Sequence, residues 1–172
     1  ANIWAYTEQI VETINPTSVH IMVDGIAPKA KILQQRKRRY LSALNNNNSN
    51  TPVWDTNAIS PGTAFMTKLH TFLKDKAKAK KWFYSGMDEP GEGEHKMFEH
   101  MTTPEGPSEE GSDRIIIHGL DADLIMLSLV SNKRNIYLMR DTQYLDIDAL
   151  RSAIPTANID NYIVLCFLLG ND

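Results

Sequence analysis

RIIIHGLDADLIMLSL, residues Arg114 to Leu129, decides the fold class. Arg114 to His118 is a short β-branched run that reads as a strand, and Ala122 to Ser131 reads as the helix that follows it. The strand's exit carries two carboxylates, Asp121 and Asp123.

The same arrangement recurs outward from this stretch. Val19 to Val23, VHIMV, is a second buried strand ending abruptly in Asp24-Gly25, and a basic helix is predicted from Pro28 to Leu44. Trp82 to Tyr84 is predicted as a strand, Met87 to Gly93 as a turn, and Glu94 to Met101 as a helix. Asn135 to Arg140 adds a strand and Asp160 to Leu169 an apolar helix. Near the start, IWAYTEQIVETI (residues 3–14) has helical spacing and is stopped by Asn15-Pro16. Ser60-Pro61-Gly62-Thr63 places a capping hydroxyl before a proline, opening a helix with a lysine-rich end. Two polar stretches, about 45–52 and 103–113, are expected to be mobile loops within the domain. No internal repeat is visible. Strands alternating with helices predict an α/β domain, a mainly parallel sheet covered by helices on both faces, with residues 1–172 forming a single domain. Ligands of such sheets sit outside the carboxyl ends of the strands.

Composition sets the class. With 172 residues, 42% hydrophobic and 23% charged, the chain can bury one core, and it is neither disordered nor collagen-like. Its single cysteine, Cys166, excludes a disulfide framework and a cysteine-built zinc site; it is expected in the core. An intracellular chain is expected, cytoplasmic rather than nuclear, with no membrane partner. The opening Ala1 and the end at Asp172 after an apolar run read as a fragment of something longer. The net charge of −3 argues against bulk attraction to nucleic acid, but six Lys and Arg gather between Lys29 and Arg39, so positive charge is local.

Asp24, Glu92, Glu94, Asp121 and Asp123 all follow putative strands, which places five carboxylates on one rim. Carboxylates that crowd together repel and raise one another's pKa values, so such a cluster persists best around divalent cations. Oxygen ligands without His or Cys at ligand spacing favour Mg2+, or Mn2+, over zinc. Two such ions about 3.5–4 Å apart activate water and stabilise the leaving oxygen in phosphodiester hydrolysis. Single acidic residues after strands also cap helices; five together favour the cation.

On the basic helix, Lys31, Gln35, Arg38 and Arg39 fall at i, i+4, i+7 and i+8 and share one face, while Leu33, Tyr40 and Leu44 form an apolar stripe on another. Donors without acceptors, beginning a few residues past Asp24, suit capture of a terminal phosphate, although an isolated charge run is usually a solvated face. The Lys74 to Lys81 run reads as a solvated helix end. PGEGEH is neither a P-loop nor a dinucleotide fingerprint. His95 and His118 flank the rim and read as packed or surface histidines rather than as substrate-positioning groups.

DGIAPKAKILQQRKRRY (24–40), ISPGTAFM (59–66), PGEGEHK (90–96), HGLDADLIMLSL (118–129) and CFLLGND (166–172) stand in an order that resembles the XRN family of 5′→3′ exoribonucleases. The resemblance implies a PIN-like, flap-nuclease α/β fold. It implies an acidic metal site at Asp24, Glu92, Glu94, Asp121, Asp123 and Asp172, the last on the resemblance alone. It also implies a 5′-monophosphate pocket at Lys31, Gln35, Arg38 and Arg39. The charged insertion that many members carry before ISPGT is replaced here by a short Asn-rich loop, and the family's seventh acidic residue and base-stacking side chain fall outside these residues. The expected function is a Mg2+-dependent, processive 5′→3′ exoribonuclease on single-stranded RNA with a 5′-monophosphate. A structure-specific flap or 5′ nuclease on DNA and a non-catalytic RNA-binding domain are the alternatives.

Overall fold

The computed structural model describes residues 2–47, 54–104, 106–107, 113–119, 123–131, 133–155 and 158–168, the side chains of 45–47 excepted. The chain forms two compact units, Ala1–Met97 and Phe98–Asp172.

In the first unit, α1 (Asn2–Ile14) buries Trp4, whose ring centroid lies 5.2 Å from that of Trp82 and edge-on to Phe72 at 6.5 Å. Aromatic pairs of this kind add about 0.5–1.5 kcal/mol beyond their burial. The helix ends at Asn15, which takes a left-handed φ of 49° and donates its N–H to the Val11 carbonyl. β1 (His20–Met22) pairs in parallel with β2 (Phe83–Ser85), His20 opposite Phe83 and Met22 opposite Ser85. Between them in sequence lie α2 (Lys29–Asn47), a 3-10 turn at Thr56–Ala58 and α3 (Ala64–Lys80).

The α3 start differs from the expected Ser60 cap. Gly62 has a φ of 87°, outside helical space, so the helix cannot begin before Thr63, whose hydroxyl accepts the Met66 N–H. Met66, Leu73 and Ala77 then form its buried stripe, and Lys81, at φ 59°, closes it by donating to the Ala77 and Lys78 carbonyls. Helix α2 runs through Asn47, further than predicted, since extending a nucleated helix costs little even for polar residues. The rest of the first expected loop, and residues 105 and 108–112 of the second, lie outside the described residues. The division between units falls within α4 (Gly93–His100).

In the second unit, β3 (Ile115–His118) runs parallel to β4 (Ile136–Arg140), and β5 (Gln143–Asp146) returns antiparallel to β4. Among the described residues, helices α5 (Asp123–Val130), α6 (Ile147–Ala153) and α7 (Ile159–Leu168) accompany them. Ile117, Leu124, Leu129, Ile136, Leu138 and Ile147 form the core.

The architecture is α/β with small sheets. Instead of one mainly parallel sheet, the described residues form a parallel pair and a three-stranded mixed sheet. The unpredicted β5 must run antiparallel, because two residues, Asp141 and Thr142, join it to β4 and a parallel return needs a long crossover. Helix α6 was unpredicted as well; the Asp146 side chain caps it by accepting the Ala149 N–H. No described helix is long and apolar enough to cross a membrane.

One polar clasp fixes this unit. Asp148 accepts the Asn135 N–H at 2.8 Å and pairs with Arg134 at 3.2 Å and Arg151 at 2.7 Å, while Arg151 also donates to the carbonyls of Ser128, Leu129 and Ser131 around the end of α5. Burial pushes the Asp148 carboxyl up, but the Asn135 N–H and the two arginines outweigh it and hold it below its ordinary 3.8. A carboxylate depressed in the folded state stabilises above its unfolded value, and that stability drains as pH falls through the folded one. Asp148→Ala is expected to cost about 1–3 kcal/mol near neutral pH, because it strands the N–H and Arg151. The loss should shrink below about pH 4. Urea melts at pH 7 and pH 3 check both statements; equal losses at the two pH values would contradict them.

Candidate active site

The turn after β1 and the loop before α4 are stitched together. Gly25 donates its N–H to the Gly91 carbonyl at 2.8 Å, Gly91 donates to the Ile26 carbonyl at 2.9 Å, and Asp24 Oδ1 accepts the Gly93 N–H at 2.7 Å. The Asp24 carboxylate thus meets the first N–H of α4, where the helix dipole favours negative charge. A Cβ on Gly25 would stand 1.7 Å from the Glu89 carbonyl oxygen, so the close approach requires glycine. Gly25→Ala is expected to destabilise the chain by about 3 kcal/mol through overpacking against backbone. An unchanged urea midpoint would mean that the loop relaxes freely.

Glu92 immediately precedes α4 and Glu94 lies in its first turn, with side chains only 12% and 16% exposed. Glu92 Oε2 lies 3.7 Å from Lys31 Nζ, which brings the start of the basic helix against the acidic loop. One ligand atom each from Glu92, Glu94 and His95 lies within 4.8 Å of the others. The expected all-oxygen donor set therefore gains an imidazole, because His95 follows Glu94 into the same helical turn. Two carboxylates and one imidazole suit a divalent cation, which would offset the repulsion between Glu92 and Glu94; the nitrogen widens the choice beyond the hardest ions. Asp24 is not part of that close trio, its Oδ1 being engaged by Gly93.

Of the other predicted ligands, Asp123 opens α5 after β3 in the second unit and is half-buried. Asp121 and Asp172 lie outside the described residues. On α2, Lys31, Gln35 and Arg39 are half-buried and Arg38 is exposed; Arg39 Nη1 donates to Ser60 Oγ at 3.2 Å. Lys31 and Arg39 are separated by about 12 Å along the helix axis at 1.5 Å per residue, so the four donors form an elongated surface. The apolar stripe expected on α2 is uncovered: Leu33, Tyr40 and Leu44 are all exposed. Cys166 is only half-buried rather than core, on a helix that buries Ile163 and exposes Val164, Leu165, Phe167 and Leu168. A cavity of about 220 Å³ beside the α5 end is lined by Arg134 and Arg151, whose guanidinium groups are engaged by the Asp148 clasp.

Sequence reasoning missed two groups at the end of β2. His70 Nδ1 lies 3.2 Å from the Tyr84 hydroxyl and 3.6 Å from Asp88 Oδ1, and burial, with Asp88 and Glu89 nearby, pushes the Tyr84 phenol up to about 12. Lys96 is 8% exposed and donates to Ser85 Oγ and the Gly86 carbonyl. Burial pushes its ammonium down, against the opposing pull of Glu89, Asp24 and Asp88.

Residues 1–142 match the family described as the XRN 5′-3′ exonuclease N-terminus. The chain belongs to this family. It is 37% identical over 164 residues to 5′-3′ exoribonuclease 1 of Homo sapiens and 38% identical over 162 residues to 5′-3′ exoribonuclease 1 of Schizosaccharomyces pombe. Each match covers 81% of this chain but only 10% and 12% of those relatives, so this XRN chain spans about a tenth of their length. The match to 5′-3′ exoribonuclease 2 of Yarrowia lipolytica, 30% identical, covers 99% of this chain and 25% of that relative. It runs over 252 residues against 172 here, so that XRN relative carries inserted segments this chain lacks.

Proposed function

We propose that this chain is part of the catalytic domain of a processive 5′→3′ exoribonuclease that degrades 5′-monophosphorylated single-stranded RNA to mononucleotides with Mg2+, or Mn2+, as cofactor. The observation that carries the reading is the 3.7 Å approach of Lys31 to Glu92, because it sets phosphate donors beside metal-type carboxylates within one unit. Family membership supplies the direction of cleavage and the RNA substrate, both named for the relatives.

In this reading Asp24, Glu92 and Glu94 are metal-holding residues of the first unit. Asp121, Asp123 and Asp172 are assigned the same metal-holding role on the strength of the family motifs alone, which also imply a PIN-like, flap-nuclease α/β fold. Divalent ions, when bound, supply an activated water and stabilise the leaving 3′-oxygen. Lys31, Gln35, Arg38 and Arg39 hydrogen-bond the terminal phosphate. A 5′-hydroxyl end leaves those donors unpaired, which is the physical source of selectivity. A single cysteine suits the reducing cytoplasm.

The test is a time course on the full-length chain with 3′-labelled RNA bearing a 5′-monophosphate or a 5′-hydroxyl, each with Mg2+ or EDTA. Mg2+-dependent release of mononucleotides from the monophosphate RNA is expected. A single cut at a DNA junction would favour the flap-nuclease alternative, and binding without cleavage the RNA-binding alternative. Concentrated negative charge is unfavourable on a surface that only binds phosphate, which speaks against the latter.

A further inference from the structure

Among the described residues, Lys96 is the one charged residue that is buried. A buried ammonium is costly unless its protons are used. Here they reach Ser85 Oγ at 3.0 Å and the Gly86 carbonyl at 2.7 Å, and Ser85 Oγ in turn donates to Glu89. Ser85 ends β2, and Gly86 and Glu89 belong to the loop that leads to Glu92. The backbone N–H of Lys96 meanwhile bonds the Glu92 carbonyl at 3.0 Å, one helical turn away. Lys96 therefore fastens the α4 turn that carries Glu92 and Glu94 to the end of β2. The Gly25–Gly91 and Asp24–Gly93 bonds fasten the same loop from the β1 side.

We infer that Lys96 is a positioning residue for the candidate cation site: through Ser85 and Gly86 it holds the first turn of α4 in the place where Glu92 and Glu94 can share an ion. The inference rests on the proposed metal role of those two glutamates. Lys96 acts through them and touches neither substrate nor metal itself. A plain packing role for the buried stem would leave cation affinity alone, whereas positioning couples the two.

The experiment measures Mn2+ binding to the metal-free full-length chain by the resonance of free Mn2+, with kcat and KM on 5′-monophosphate RNA as a second readout. Lys96→Met is expected to weaken Mn2+ binding about 10–100-fold, the range for groups that orient metal ligands. It should lower kcat and leave the RNA KM unchanged. Lys96→Arg, which keeps the charge and donors, should recover part of the affinity. Ser85→Ala should weaken binding in the same direction by up to about tenfold, as for one lost hydrogen bond. Asp148→Ala, destabilising but far along the sequence in the other unit, should bind Mn2+ like the wild type. Unchanged Mn2+ affinity in a folded Lys96→Met protein overturns the inference while leaving the glutamate site standing. If Lys96→Met does not fold, unchanged affinity in Ser85→Ala overturns it instead. A wild-type chain that binds no Mn2+ overturns the metal reading itself, and this inference with it.

Discussion

Glu94→Gln in the full-length chain is expected to lower kcat on 5′-monophosphate RNA by about 10²–10³-fold while RNA binding stays within a few-fold of wild type. The substitution preserves shape and removes one negative charge and one anionic ligand atom from the Glu92, Glu94 and His95 trio. Losing several kcal/mol of charge stabilisation in the transition state corresponds to two or three decades in rate. Its structural cost is small, because an acidic residue in the first turn of a helix contributes only about 0.3–1 kcal/mol through the dipole. RNA should bind slightly more tightly, since negative charge facing phosphate is removed. Raising Mg2+ should restore part of the rate, which a purely structural defect would not allow. Single-turnover cleavage alongside equilibrium RNA binding makes the measurement, and near wild-type turnover would remove Glu94 from the site.

What was legible in the sequence was the succession of strand, carboxylate and helix. A β-branched run too short for a helix, followed at once by Asp24, locates a strand end, and the actual β1 ends two residues before that aspartate. The bond from the Gly93 N–H to Asp24 joins residues 69 apart, and no local pattern announces it. Lys96 escaped for a related reason: lysine reads as surface, and only the neighbouring Ser85 hydroxyl and Gly86 carbonyl make its burial tolerable. Ser60 and Thr63 are both good caps by composition, and the choice between them was made by the φ of Gly62. Strand β5 was hidden because Gln143 to Asp146 is short and mostly exposed, so hydrophobic alternation has little to mark. The helix that carries Lys31, Gln35, Arg38 and Arg39 was legible from its spacing, yet the stripe of Leu33, Tyr40 and Leu44 on the same helix is exposed.

Arg38→Ala should narrow the preference for 5′-monophosphate over 5′-hydroxyl RNA by about 10–100-fold, with most of the change on the monophosphate substrate. Arg38 is the exposed member of the four proposed donors, whereas Lys31 already faces Glu92 and Arg39 already bonds Ser60. Its removal therefore leaves both of those contacts in place, and the melting temperature should move little. A hydrogen bond between a guanidinium and a phosphate contributes about 1.5–3 kcal/mol, which converts to roughly one to two decades in kcat/KM. The hydroxyl substrate presents no such acceptor and should lose at most a few-fold, from the weaker long-range attraction of one positive charge. Added salt should compress the wild-type ratio only modestly, because contact pairing is screened less than steering. Arg38→Lys separates charge from geometry: an ammonium keeps the attraction but cannot make the two parallel bonds of a guanidinium, so an intermediate ratio is expected. A ratio unchanged in both variants would take Arg38 out of the pocket and leave the terminal phosphate to Lys31, Gln35 and Arg39.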